Sequence, residues 1–154
     1  MVQGTATSRN PLPQRPHPLQ LPQVHPPRAV LDLNALPTAP SRARAWTREV
    51  LRKWQSSVLS DTAELVVSEL TTNAMRASRC LDIPLIRLTL TLDHGELAIA
   101  VHDYCPSAPE PGNAGDEDEN GRGLLLVEAV SSRLGWYPFE DGTPGKVVWA
   151  VLVR

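Results

Sequence analysis

Cysteine is scarce in this chain of 154 residues, which carries Cys80 and Cys105 and no other. The two lie apart in the sequence, without the C-x-x-C spacing or the neighbouring histidines that are typical of a zinc site. Two isolated cysteines also do not indicate a disulfide framework. We therefore expect neither a structural zinc ion nor a disulfide-stapled fold, and interpret both thiols as reduced side chains without a special role.

Long apolar runs and an excess of charge of one sign are also missing. No run approaches the roughly 20 residues that a membrane-spanning helix needs, and the N-terminus lacks the apolar segment of a signal peptide. The formal net charge is only −2, so no global field draws the protein to nucleic acid or to an anionic membrane. We expect a cytoplasmic protein that binds neither nucleic acid nor a membrane.

The composition suits one compact domain, because 42% of the residues are hydrophobic and 21% are charged. Residues 1–27 differ from the rest, since Pro, Gln, Ser, Thr and His dominate there. Such a composition cannot bury enough apolar surface to fold. The sequence thus predicts a disordered, Pro-rich tail at 1–27 and an ordered domain at 28–154. A docking segment in polyproline II conformation is the alternative for the tail.

A short edge strand over 29–33 and a helix are predicted at the start of the domain. The helix is predicted to begin at an N-cap, Ser41, and to turn its tryptophans to the core. Arg44, Arg48 and Arg52 recur on another face of this helix. They form either a solvated surface or a contact surface for an acidic protein partner.

A second helix is predicted from Asp61 to about Ser78. At 100° per residue its apolar residues form one narrow face, and Glu69 and Asn73 lie together on the flank of that face. The two polar side chains therefore overlook the edge of the core. On its own this arrangement fits an ordinary polar i,i+4 pair as well as a functional site.

Two strands over 85–93 and 96–104, joined by a tight turn at His94-Gly95, are predicted next. Asp103 has the same parity as the apolar residues of the second strand, so its carboxylate faces the core at the strand's end. An ionised carboxylate there costs several kcal/mol unless it is hydrogen-bonded. Asp103 therefore either caps nearby backbone N–H groups or receives a donor from a ligand.

The stretch 105–120 has no periodicity and contains the acidic run Asp116-Glu117-Asp118-Glu119, which predicts a lid. It ends at Gly121-Arg122-Gly123, directly before an apolar helix that is predicted over 124–134 and closed by Gly135. Glycines at a helix N-terminus let the backbone approach a ligand, and the free N–H groups there favour a phosphate. A short strand over 136–139 and a long central strand over 146–153 complete the domain.

The acidic run also copies the first half of an EF-hand calcium loop, as Asp116-x-Asp118-x-Asn120-Gly121. The twelfth position is Val127 instead of the bidentate Glu, and a Pro-rich segment precedes the loop where a helix is required. We therefore do not expect a calcium site. The histidines at 17, 25, 94 and 102 form no Ser-His-Asp or Cys-His arrangement, so hydrolytic nucleophile chemistry has no support either.

The predicted order of elements indicates an α+β fold, with helices packed on one face of a mixed, mainly antiparallel sheet. From about residue 28 onward the chain resembles the GHKL ATPases, whose Bergerat fold is a two-layer α/β sandwich. More narrowly it resembles the actinobacterial anti-sigma-factor serine/threonine kinases. The resemblance is carried by the stretches Leu65–Ala74, Gly121–Val127 and Gly145–Ala150 together with Asp103.

The resemblance implies a site for ATP and Mg²⁺. Asn73 would hold Mg²⁺ at the phosphates through its amide oxygen, which is a ligand type that Mg²⁺ accepts. Glu69 would be the general base on the attacking hydroxyl, and Asp103 would accept a hydrogen bond from the amino group of adenine.

The resemblance further implies a phosphate cradle made by Gly121, Gly123 and the amides that follow, such as that of Leu124. Arg122 or Lys146 would add positive charge, and positioning plus charge neutralisation is most of what phosphoryl transfer needs. The chain departs from the family pattern at three places. Tyr-Cys-Pro follows Asp103 in place of glycines, Val147 stands where many relatives have Thr, and Ala77 stands where His is common.

The implied function is that of an ATP-dependent protein kinase that phosphorylates a Ser or Thr of a protein antagonist, binds a sigma factor, or does both. Dimerisation is implied by the resemblance alone. The alternative is a non-catalytic, protein-binding regulatory module whose nucleotide pocket is degenerate.

Overall fold

The computed structural model describes residues 25–82, 84–109 and 122–154. Residues 1–24 of the predicted tail, Gly121, the acidic run and most of the predicted lid thus lie outside the described residues. The described elements follow one another as β1 (Arg28–Asn34), α1 (Ala39–Lys53), α2 (Ser60–Ala77), β2 (Leu85–Asp93), β3 (Glu96–Asp103), α3 (Arg122–Val130), β4 (Arg133–Pro138) and β5 (Lys146–Val153). Single 3-10 turns at Ser57–Leu59 and Ser78–Cys80 flank α2.

The strands form one sheet in the order β1-β2-β3-β5-β4. β1 lies at an edge, as predicted, and β5 lies between β3 and β4, which explains why both faces of β5 are apolar. The α+β fold with two layers is confirmed. One detail differs from the prediction, because all four pairings between the described strands are antiparallel instead of mixed.

The core lies between the sheet and the helices. α2 packs on the middle of the sheet, and α1 and α3 pack against α2. The side chains that fill this layer alternate along the strands and recur at helical spacing in α2. The large buried side chains of β2, β3 and α2 in this layer include Ile86, Leu88, Leu90, Leu97, Ile99, Val66, Val67 and Leu70. Burial of each such side chain stabilises the fold by roughly 1.5–3 kcal/mol.

The β2–β3 hairpin has the two-residue turn that the sequence predicts. His94 and Gly95 have φ angles of 47° and 84°, and positive φ at both central residues is the signature of a type I′ turn. The turn sets the register, so that Asp93 lies opposite Glu96 and Asp103 lies opposite Ile86 at the far end of the hairpin. Asp103 is thereby held on the helix-covered face of the sheet.

The first helix begins earlier than predicted. α1 starts at Ala39, and the Ser41 hydroxyl donates to the carbonyl of Thr38 at 2.9 Å, so Ser41 is not the N-cap. Pro40 explains the earlier start, because proline has the φ angle of a first helical turn and no N–H that would need a partner.

The three arginines that recur on one face of α1 form hydrogen bonds with side chains of α1 and α2. Arg48 forms a two-pronged pair with Glu64 of α2, at 2.8 and 2.6 Å, and Arg52 forms one with Glu49. Arg44 donates to the hydroxyl of Ser68 at 2.7 Å. The pairs with Glu64 and Ser68 connect α1 to α2.

The boundary between α3 and β4 lies four residues before the predicted one. Both the N–H and the hydroxyl of Ser132 donate to the carbonyl of Val151, at 2.8 and 2.9 Å, and this draws the chain into the sheet beside β5. Gly135 is therefore a strand residue and does not cap a helix. A Cβ atom at this position would lie 2.6 Å from the ring of Trp149, so the ring occupies the space that glycine leaves.

Among the described residues, no helix is both long enough and apolar enough to cross a lipid bilayer.

Candidate functional site

Glu69 and Asn73 lie where the helical spacing predicts, on the flank of α2. Both are partly buried, whereas Val66, Leu70 and Ala74 on the neighbouring face are at most 3% exposed. The two polar side chains therefore stand at the border between the core and solvent, one helical turn apart.

A cavity of about 270 Å³ opens beside Asn73. Its wall comes from the end of α2, from the segment after β3 and from the first residue of β5, and it consists of Asn73, Arg76, Ala77, Cys105, Ser107, Ala108, Pro109 and Lys146. Lys146 is bonded in turn to Asp103. The amide of Asn73 therefore lines the cavity, whereas the carboxylate of Asp103 lies behind Lys146 and is not part of the wall.

Asp103 and Lys146 form a buried ion pair. The ammonium nitrogen of Lys146 lies 3.0 Å from Oδ1 of Asp103, and the side chains are 2% and 1% exposed, respectively. The two residues are register partners in antiparallel strands, so their side chains leave the sheet on the same face. Burial raises the pKa of Asp103 above its usual value, and the hydrogen bond and charge of Lys146 oppose this rise.

The backbone around the pair completes its hydrogen bonding. The N–H of Cys105 donates to the same Oδ1 of Asp103 at 2.9 Å, and Lys146 also donates to the carbonyl of Cys105 at 3.4 Å. Asp103 thus caps a backbone N–H, as one of the two sequence interpretations proposed. Its contact with an adenine amino group stays a prediction.

Gly145 allows the end of β3 and the start of β5 to come together. Its φ angle is +147°, which few residues with a side chain adopt, and a Cβ atom there would lie 2.7 Å from the carbonyl oxygen of Asp103. A side chain at 145 would push the strands apart at the point where Lys146 reaches Asp103.

Gly123 of α3 lies directly against Glu69. A Cβ atom at position 123 would overlap Oε2 of the Glu69 carboxylate and lie 3.4 Å from its carboxyl carbon. Glycine at this position therefore leaves the room that the Glu69 carboxylate occupies. Glu69 is held beneath the first turn of α3.

Arg122, Gly123 and Leu124 of the predicted phosphate cradle do not line the Asn73 cavity. Arg122 is exposed at the start of α3, and Leu124 packs against the core. Leu124 lines a separate cavity of about 300 Å³ between α3 and β4, which shares Pro109 with the first. Gly121 lies outside the described residues. The phosphate contacts of Gly121, Arg122, Gly123 and Leu124 therefore stay predictions, as does that of Lys146.

A family model described as a histidine kinase-like ATPase domain matches residues 33–152. The chain belongs to this family. Membership implies ATP binding, and it agrees with a fold in which α2 and the ends of β3 and β5 frame a cavity.

A solved structure with the same fold is that of the RsbU and RsbW domains of Rv1364c from Mycobacterium tuberculosis, which superposes with a TM-score of 0.59 at 20% sequence identity. The superposition covers 82% of this chain and 32% of that chain, so our chain spans about a third of its length. Among curated proteins, none matches the sequence.

Arg76 is a cavity residue of this histidine kinase-like ATPase domain that the sequence prediction missed. It follows Asn73 by three positions, and because residues three or four apart are neighbours on a helix surface, Arg76 lies on the same side of α2 as Glu69 and Asn73. The spacing could have revealed it. An arginine there supplies a positive charge at the cavity mouth.

The residues at the cavity fit the phosphates and the Mg²⁺ ion of a magnesium nucleotide better than they fit its adenine base. An amide oxygen beside two cationic side chains suits phosphate oxygens and a hydrated Mg²⁺ ion. No group of three or more His, Cys, Asp or Glu side chains gathers anywhere in the described part of the chain, so a metal at Asn73 would depend on phosphate oxygens for further ligands. On the base side, the carboxylate that would accept the adenine amino group is already bonded to Lys146.

Proposed function

We propose that this histidine kinase-like ATPase domain binds Mg²⁺ and ATP in the cavity beside Asn73 and transfers the γ-phosphate to a Ser or Thr of a protein antagonist. A sigma factor is the second protein partner that we propose. The observation that supports this best is the cavity lined by both Asn73 and Lys146, the partner of Asp103, with Glu69 one turn from Asn73 under α3.

The proposal gives each residue a role that fits its surroundings. The amide oxygen of Asn73 would hold Mg²⁺, which neutralises charge on the phosphates when bound. Arg76 would add charge at the same wall. Glu69 is partly buried and pressed against Gly123, so its carboxylate has a defined place from which to accept the proton of an attacking hydroxyl.

A non-catalytic regulatory module is the second candidate, and one observation favours it. The Asp103 carboxylate that would select adenine is 1% exposed and forms an ion pair within the protein. A chain that binds its nucleotide poorly, and acts through protein contacts alone, would tolerate such an arrangement.

Titration with Mg²⁺ and ATP, followed by a phosphoryl-transfer assay, separates the two candidates. In the kinase, Glu69→Gln keeps nucleotide affinity within about threefold and lowers turnover by about 10²–10⁴-fold, which is the usual contribution of a general base. Glu64→Gln is the matched control, because it makes the same chemical change on α2 at a residue bonded to Arg48. Weak or absent ATP binding without turnover in the native chain would favour the regulatory module, and unchanged turnover in Glu69→Gln would exclude Glu69 as the base.

A further inference from the structure

The carboxylate on the base side of the proposed nucleotide cavity already has partners within the protein. Oδ1 of Asp103 already accepts two hydrogen bonds, from the Lys146 ammonium at 3.0 Å and from the Cys105 N–H at 2.9 Å. Lys146 lines the cavity and Asp103 does not. A molecule in the cavity therefore meets the lysine before the carboxylate.

Antiparallel pairing explains why the lysine takes this place. Asp103 and Lys146 lie directly opposite each other on β3 and β5, and Gly145 lets the two backbones approach closely. An ion pair at this depth resists opening, because removing one partner leaves an uncompensated buried charge. A neutral amino group of a purine is a weaker partner for the carboxylate than an ammonium ion, since charged donors form the stronger hydrogen bonds.

We propose that Lys146 masks Asp103 as a specificity determinant, so that the native chain holds a purine nucleotide through its phosphates and does not recognise the 6-amino group of the base. This inference rests on the proposed function in one respect, namely that a nucleotide enters the cavity beside Asn73. It assigns Lys146 a role different from the phosphate contact that the family resemblance implies.

The test compares ATP with purine riboside triphosphate, which is ATP without the 6-amino group, in the presence of Mg²⁺. The proteins are the native chain, Lys146→Thr and Lys146→Gln. The readout is the dissociation constant of purine riboside triphosphate divided by that of ATP. We expect a ratio near one for the native chain. In both variants the ratio rises to about tenfold or more in favour of ATP, because a polar group that is free to hydrogen-bond a substrate discriminates against the analogue that lacks its partner.

The ratio separates masking from other effects of the substitution. Loss of the lysine charge weakens the binding of ATP and of its analogue to the same extent, which leaves the ratio unchanged. Arg76→Gln is the control for this charge effect, since it removes a cationic side chain from the cavity and leaves the partners of Asp103 in place. Lys146→Gln is closer to lysine in length than Lys146→Thr and provides a second variant if the smaller residue unfolds the protein. Circular dichroism and urea unfolding establish that each variant is folded.

Two results would overturn the inference while leaving nucleotide binding intact. One is a native chain that already prefers ATP by tenfold, and the other is folded Lys146 variants that bind both nucleotides equally well. Absence of binding of either nucleotide by all the proteins would instead reject the proposed function, and the inference with it. Binding that is detected only in the variants, with a preference for ATP, would support the inference.

Discussion

Gly123 is a residue whose replacement acts through a neighbouring side chain. A Cβ atom at 123 would occupy the place of the Glu69 carboxylate. With Glu69 as the proposed general base, we expect Gly123→Ala to displace that carboxylate and to lower the proposed phosphoryl transfer by about tenfold or more, because small misplacements of catalytic groups are costly. Stability should change little, since the end of a flexible side chain moves easily. Turnover measured beside urea unfolding checks both expectations.

The control for this substitution is Gly95→Ala, at the β2–β3 turn. Gly95 has a φ of 84° and open space around it, so alanine there costs roughly 1–2 kcal/mol of backbone strain without reaching the site. Turnover should stay at the native level in this control. Native turnover in Gly123→Ala as well would show that Glu69 does not depend on position 123 for its activity.

The ion pair at Lys146 predicts a pH dependence of stability. The pKa of Asp103 is raised in the folded protein, so its contribution to stability is most favourable at low pH and declines as the pH rises through the folded pKa. Removing the lysine charge raises this pKa further. We expect Lys146→Gln to cost about 3–5 kcal/mol near pH 8, where Asp103 is a buried unpaired anion, and clearly less near pH 5.

Urea unfolding of native and variant protein at the two pH values measures this difference. The double variant Asp103→Asn, Lys146→Gln lacks the titrating group and should show a much smaller change between the two values. An equal cost of Lys146→Gln at both pH values would contradict a buried, ionisable Asp103.

Sequence analysis located Asp103 but not its partner, for a physical reason. The alternation of side chains along one strand is a local property, and it suffices to turn Asp103 toward the core. The partner is 43 positions away in the sequence, and its identity depends on the register between β3 and β5. No local pattern determines that register, so Lys146 received only the phosphate contact that the family resemblance implies.

Periodicity also explains which whole elements were predictable. The limits of β2 were predicted correctly, and those of α2 and β3 to within a residue, because each has a clear apolar face. The boundary between α3 and β4 was wrong, since the apolar residues over 124–134 also fit a continuous helix. Pairing of 133–138 with β5, which is a tertiary interaction, overrides that local preference.

The β4–β5 pairing makes a prediction for Gly135. A methyl group there would collide with the Trp149 ring, 2.6 Å away, so Gly135→Ala should destabilise the protein by about 1–3 kcal/mol, as overpacking usually does. Trp149→Phe removes the part of the ring that lies nearest. In a double-mutant cycle by urea unfolding, the two changes together should therefore cost less than the sum of the single changes. Additivity within about 0.5 kcal/mol would mean that the ring does not set the requirement for glycine.

At the scale of the whole molecule, the sheet has β1 at one edge and β4 at the other. The β3–β5 pairing that carries Asp103 and Lys146 lies inside the sheet, so the cavity is framed by its interior strands and the end of α2. The chain enters the sheet at the edge strand β1, which β2 separates from β3. Changes before β1 should therefore leave the candidate site intact.

Two truncations test where the folding unit begins. A chain that starts at His25 keeps all of β1 and the hydrogen bond from the Leu92 N–H to the Pro27 carbonyl, so we expect its unfolding free energy to match the full chain within about 0.5 kcal/mol. A chain that starts at Leu31 loses the pairing of Arg28, Ala29 and Val30 with β2. Since each hydrogen bond contributes about 1 kcal/mol, it should be less stable by at least about 1–2 kcal/mol. A large loss in the His25 truncation would instead mean that residues before His25 belong to the folded domain.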